Sequence, residues 1–203
     1  MSDLFCAATL IVARHGEATY DVPGVATDDG GWLTPLGRKQ ARELGASLRD
    51  RRIAAVWCSD LARAVQTAEL VAGVLGGDLP VQVRSGLREF GVGELAGHPI
   101  TDLDAVFRRW VEGDLSSGCP GAETGEQVVA RMRAELESAA DTFRGETVLM
   151  ISHGGVMGAV LPLIAANLPN DHALGRPIAN TGVCELAVDA DSWLMRTWSS
   201  QPL

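Results

Sequence analysis

Apolar residues fall in short blocks separated by polar, glycine-punctuated stretches, and the blocks follow two different periods. Residues 7–13, IAAVW at 53–57, VQV at 81–83 and TVLMIS at 147–152 are short aliphatic runs. Runs of that length bounded by turn residues predict strands, and the longer ones are apolar enough to be buried on both faces. Between them the pattern turns helical. Thr34 followed by Pro35 predicts an N-cap and a first helical position, opening a helix to about Arg51, with Leu36, Leu44 and Leu48 near helical spacing. Ser59 is the expected N-cap of a helix through DLARAVQTAELVAGVL that stops at Gly76 and Gly77. Helices are also predicted over about 100–112 and 124–143, and through VMGAVLPLIAANL after Gly155. The segments 22–33 and 87–98 read as loop, and VCELAV and WLMRTW as an edge hairpin.

Strands alternating with helices predict βαβ units and one α/β domain over residues 1–203, with a mainly parallel sheet and helices on both faces. In such sheets ligands bind beyond the carboxyl ends of the strands. Three strands finish in polar residues: Arg14-His15-Gly16, Cys58-Ser59 and Ser152-His153-Gly154. Parallel packing puts all three on one sheet edge, which makes two distant histidines candidates for a single site.

Composition narrows the partners. The chain has 203 residues, 46% hydrophobic and 21% charged, a globular balance long enough for a large core. No apolar stretch approaches the ~20 residues that span a bilayer. Asp3 stands where a signal peptide would carry basic residues, so the N-terminal apolar stretch reads as a buried first strand. A net charge of -9 argues against nucleic acid and anionic membranes as partners. It also requires a local arginine cluster wherever an anion is to bind. Cys6, Cys58, Cys119 and Cys184 lie far apart without CxxC spacing, which disfavours zinc and a disulfide framework and points to a reducing cytoplasm.

His15 and His153 share one context, aliphatic strand then histidine then glycine. Gly16 and Gly154 would let backbone N–H groups approach a ligand. Arg14 supplies fixed charge, and Arg63 lies one helical turn beyond Ser59, where it can lean back to the same edge. Guanidinium pairs match phosphate oxygens bidentately, and helix N-termini favour anions. Taken singly, each of these residues has an ordinary structural reading; together they read as a phosphate pocket with a nucleophile inside. A cysteine-dependent phosphatase loop is the rival, but it needs five residues between cysteine and arginine, and CSDLAR has four. Cys58 is then a small core residue.

LIVARHGEA, LTPLGRKQA, SDLARAVQTAE, LREFGVGELAG, PGAETGEQV, VLMISHGGV and NTGV follow one another from about residue 10 to residue 184. In these segments the chain resembles the histidine phosphatase superfamily, the phosphoglycerate mutase-like group. The resemblance implies a three-layer α/β/α sandwich and two-step phosphoryl transfer without metal or other cofactor. It makes His15 the nucleophile, with Arg14, Arg63 and His153 binding the phosphoryl group. Glu89 becomes the proton donor, a role that calls for a desolvated carboxyl with a raised pKa. The family commonly has asparagine six residues after the nucleophile, where this chain has Asp21, a substrate-binding position whose charge opposes phosphate. Thr124 replaces the usual serine.

Phosphatase and mutase share these residues. Mutases resembling this family carry a longer insertion before the PGGES-like segment, whereas about 33 residues separate Glu89 from Glu123 here, with Arg108 and Arg109 the basic ones noted between them. Hydrolysis of a small phosphorylated metabolite is therefore expected ahead of phosphoglycerate mutase-type transfer, and both ahead of a non-catalytic phospho-ligand binder. Trp32, Phe90, His98, Phe107 and Trp110 are candidates for an apolar rim or for core packing. An exposed C-terminal edge strand, and the frequency of dimers among relatives, point to a homodimer.

Overall fold

Strand β1 (Ala8–Arg14) is apolar because it is covered on both edges and both faces. It pairs in parallel with β6 (Thr147–Ser152) and antiparallel with β7 (Val183–Val188). In the computed structural model, which describes residues 7–28, 30–76, 78–188 and 192–203, the main sheet has seven strands. Their order is β5-β4-β6-β1-β7-β8-β9, with β4 (Ile53–Cys58), β5 (Val81–Val83), β8 (Trp193–Trp198) and β9 (Gln201–Pro202). β5, β4, β6 and β1 are mutually parallel, and β7 to β9 add an antiparallel end. The N-terminal segment with Asp3 and Cys6, and Gly77, lie outside the described residues.

Alternation along β1 sorts the core into two. Ile11 and Ala13 face α1 (Pro35–Ser47) and α2 (Ala62–Leu75), packing with Leu44, Leu48, Ala64, Ala68 and Val71. Leu10 and Val12 face the other way, toward α3 (Leu103–Val111), α4 (Gly125–Thr142) and α5 (Gly154–Ile164) through Trp110, Met132, Leu136, Met157 and Leu161. The result is the α/β/α sandwich expected from the sequence.

Four local readings change. Ser59 does not cap α2; Leu61 occupies that place without a side-chain hydrogen bond. Leu36 is exposed, and α1 instead buries Leu44 together with Gly37, Ala41 and Gly45, small residues that let it approach its neighbours closely. The segment 22–33 is not all loop: β3 (Trp32–Leu33) pairs with β2 (Ala18–Thr19). Finally, β7 lies inside the sheet and β9 covers β8, so the exposed edge is a two-residue strand ending in Pro202. Thr34 caps α1 as predicted, accepting from Gly37 N–H. Cys58, Cys119 and Cys184 are buried free thiols.

Candidate active site

Among the described residues, six polar or charged side chains are buried: His15, Ser59, Arg63, Thr67, Ser152 and His153. All six gather at the carboxyl ends of β1, β4 and β6. A fold of this size has many places to bury a polar group, so their convergence marks a functional site rather than incidental burial.

The parallel register dictates the gathering. Arg14 stands opposite Ser152, and Cys58 opposite Ile151, so the residues that follow emerge side by side. The backbone at Arg14 and His15 is held by the NTGV turn. Thr181 N–H donates to the Arg14 carbonyl, and Asn180 Nδ2 donates to the His15 carbonyl at 3.1 Å. Thr181 adopts φ of 56°, a left-handed turn paid for by these bonds. Nothing in the sequence pattern alone distinguished NTGV from an ordinary turn.

His15 has one tautomer when neutral. Its Nδ1 lies 2.7 Å from the Gly16 carbonyl, which can only accept, so Nδ1 carries the proton. Arg63 Nε, which can only donate, meets Nε2 at 3.1 Å. Nε2 therefore presents a lone pair. Burial and the neighbouring Arg63 and Arg14 charges lower the pKa of His15 to about 3, so the ring stays neutral and nucleophilic. His153 lies beside it, the rings tilted with centroids 5.1 Å apart, and burial holds it well below the usual histidine range as well. His153 Nε2 contacts Ser59 Oγ at 2.8 Å, which is the role Ser59 plays in place of a helix cap.

Two buried nitrogens here have no protein partner, Arg14 Nε and His153 Nδ1. Arg14 Nη1 is anchored on the Ile178 carbonyl at 2.8 Å. Arg63 is fixed on the Gly30 carbonyl by Nη1 and lies against the Tyr20 ring. Buried polar nitrogens left over after such anchoring are what an anion would satisfy.

Gly16 acts differently from the expectation. Its N–H donates to Thr67 Oγ1 and is not free for a ligand. Glycine is needed because a Cβ would lie 2.6 Å from the Gly37 carbonyl oxygen. Gly154 does line the cleft, where a Cβ would crowd the Arg14 guanidinium at 3.2–3.3 Å. Asp21 is exposed and does not line the cleft. Its charge is thus not in the phosphate pocket.

Glu89 sits at the N-terminus of α5. Gly155 N–H donates to Oε2, and the N–H groups of Val156 and Phe90 donate to Oε1. Those bonds favour the anion, but burial outweighs them and raises the carboxyl pKa. The desolvation expected of a proton donor is present. The loop bearing Glu89 is held at four consecutive carbonyls. Ser152 Oγ donates to Leu87, while Arg131 donates to Gly86, Arg88 and Glu89 and forks onto Glu123 at 2.6 and 3.1 Å.

These groups open onto a cleft of about 450 Å³. Phe90 and Phe107 line it. Of the other rim candidates, Trp110 is buried in the core and donates to the Ser117 carbonyl, while Trp32 and His98 are exposed elsewhere. Arg108 and Arg109 lie on the exposed side of α3 and do not reach the cleft, whereas Arg176 lines it. No cluster of metal-ligating side chains occurs among the described residues, and no helix among them is long and apolar enough to cross a membrane.

Residues 10–201 match the family model described as histidine phosphatase superfamily (branch 1). A Yersinia enterocolitica protein named "Probable phosphoglycerate mutase GpmB" is 27% identical over 194 residues, covering 93% of this chain and 89% of the relative. Among solved structures, Bacillus stearothermophilus YhfR is 28% identical with a TM-score of 0.79, covering 97% of this chain and 98% of the other. A mycobacterial glucosyl-3-phosphoglycerate phosphatase, solved with VO3, is 25% identical with a TM-score of 0.80, covering 95% and 99%. The chain belongs to the histidine phosphatase superfamily (branch 1).

Proposed function

We propose that the protein hydrolyses a small phosphomonoester without metal, through a phosphohistidine at Nε2 of His15. The observation that carries this reading is the neutral imidazole, its proton fixed on Nδ1, in the same cleft as a raised-pKa carboxyl.

The substrate phosphoryl group docks among Arg14, Arg63 and His153, whose unused donors turn to its oxygens. Arg63 Nε–H leaves His15 Nε2 for a phosphoryl oxygen, which bares the lone pair as the phosphorus arrives. Nε2 attacks phosphorus, the P–O bond to the leaving alcohol breaks, and Glu89 gives that oxygen a proton. Oε1 already accepts two backbone N–H bonds and Oε2 one, so Oε2 is the oxygen with room for the proton. Glu89, now ionised, accepts a proton from a water as its oxygen attacks the phosphohistidine. Phosphate and neutral His15 are regenerated. The fixed charges of Arg14 and Arg63 stabilise the equatorial oxygens in both steps.

Hydrolysis is favoured over transfer to a second phosphorylated substrate by the makeup of the cleft. Beyond Arg14 and Arg63 the only lining cation among the described residues is Arg176, itself exposed. The free thiols fit a cytoplasmic location. Turnover of p-nitrophenyl phosphate in EDTA, lost in His15→Ala, supports the reading. Loss of activity in EDTA would overturn metal independence. Faster decay of the phosphoenzyme on adding 3-phosphoglycerate, with transfer of the label, would make it a mutase.

A further inference from the structure

Apart from Arg14, His15, Arg63 and Glu89, only Tyr20, Thr27 and Arg176 among the described residues line the cleft with polar or charged side chains. Its walls include Val25, Val92, Ile100, Leu103, Ile178 and Trp198, drawn from five separate parts of the chain. Part of the backbone between them is already paired. Loops 24–26 and 97–100 zip together, with Ala26 N–H on the His98 carbonyl, Gly97 N–H on the Ala26 carbonyl and Ile100 N–H on the Gly24 carbonyl. Trp198 Nε1 is likewise committed, to the Arg176 carbonyl at 2.9 Å. Ile100 is 54% exposed although it lines the cleft, an apolar surface with no partner from the protein. Phe107 is seated deeply because residue 158 is glycine; a Cβ there would come within 3.2 Å of its ring.

From this geometry we infer that the substrate is the phosphomonoester of an apolar alcohol, alkyl or aryl, rather than a sugar phosphate or a phosphoglycerate. The inference rests on the hydrolase reading for the chemistry but on the cleft wall for the selectivity. A polyhydroxylated leaving group would lose its water bonds against a wall that returns few, whereas an apolar one loses none and buries its surface. Arg176 sits at an exposed position and can serve a polar tail without altering the demand made by the wall.

Binding of a series of n-alkyl phosphonates, ethyl to hexyl, tests the wall without any bond being broken. Each added methylene is expected to tighten Kd about fourfold until the cleft is filled, the factor that corresponds to about 0.8 kcal/mol of transfer free energy. Ile100→Asn should flatten the series. A flat series in the wild-type protein, or kcat/KM for glucose 6-phosphate or 3-phosphoglycerate equal to that for hexyl phosphate, overturns the inference. A steep binding series with no turnover of alkyl phosphates or p-nitrophenyl phosphate upholds the apolar subsite and overturns the hydrolase reading instead.

Discussion

Replacing Arg131 by methionine separates proton donation from the rest of the chemistry. Arg131 does not itself line the cleft, yet its guanidinium donates to three of the four carbonyls that hold the Glu89 loop. Methionine keeps the apolar stem and removes every donor. Each carbonyl bond is worth ~1 kcal/mol net. The pair with Glu123 adds less than ~1 kcal/mol, because the two side chains are 20% and 34% exposed and solvent screens them. A stability loss of about 3–4 kcal/mol is expected in urea unfolding. The larger effect is on geometry. General acid catalysis supplies ~10²–10⁴ in rate, and a displacement of about 1 Å removes ~10² of it. The assay compares two substrates. Hexyl phosphate must lose an alkoxide that needs the proton, so its kcat should fall about 10²-fold with KM little changed. p-Nitrophenyl phosphate expels a phenolate that leaves unprotonated, and its kcat should fall less than ~10-fold. Arg131→Lys should fall between, since one ammonium cannot span three carbonyls and Glu123. An equal loss on both substrates would refute positioning of the acid and leave a general structural role.

The pH dependence follows from two shifts of opposite sign. kcat/KM reports the free enzyme, so for an alkyl ester activity should persist well below pH 6.5, because His15 gains its proton only near 3, and should fall on the alkaline side as Glu89 loses its raised-pKa proton. An acid limb near pH 6.5 in kcat, where the second ionisation of the free ester (pKa about 6) does not enter, would contradict the buried neutral imidazole. The same Glu89 shift has a stability consequence: a carboxyl with a raised folded-state pKa contributes stability that is present below its unfolded value and lost as pH rises through the folded one. Denaturation of wild type and Glu89→Gln across that range should therefore show the variant gaining relative stability as pH rises; a constant difference would mean Glu89 titrates normally. Gly37→Ala should destabilise by more than ~2 kcal/mol in thermal melts, although alanine ordinarily gains about 1 kcal/mol in a helix, because its Cβ would strike the Glu17 backbone.

The strands that carry the site were legible because continuous aliphatic runs have few alternatives to burial, and parallel pairing then forces Arg14, Ser59 and His153 onto one edge. Helical spacing put Arg63 within reach of the same edge, but taken alone it read as a solvated helix charge, and only its company with Arg14, His15 and His153 singled it out. Glu89 was not: it lies in an irregular segment, and its separation from Glu94 came from family resemblance rather than periodicity. Nor could periodicity find Asn180, Arg131 or Arg176, which act from other parts of the chain through long-range contacts. Asp21 shows the converse. A sequence position implied contact with phosphate, but the chain turns the residue outward, so the substitution of asparagine by aspartate costs the pocket no charge repulsion at close range.

In the proposed reaction His15 Nε2 becomes covalently phosphorylated. Acid quench of the enzyme during turnover of p-nitrophenyl phosphate in EDTA, followed at once by neutralisation and peptide mass spectrometry, addresses it directly. An acid-labile phosphate is expected on the peptide bearing His15, absent in His15→Ala and longer-lived in Glu89→Gln, where water is no longer activated. Turnover with no phosphate on His15, or a phosphate carried by another residue, would contradict it.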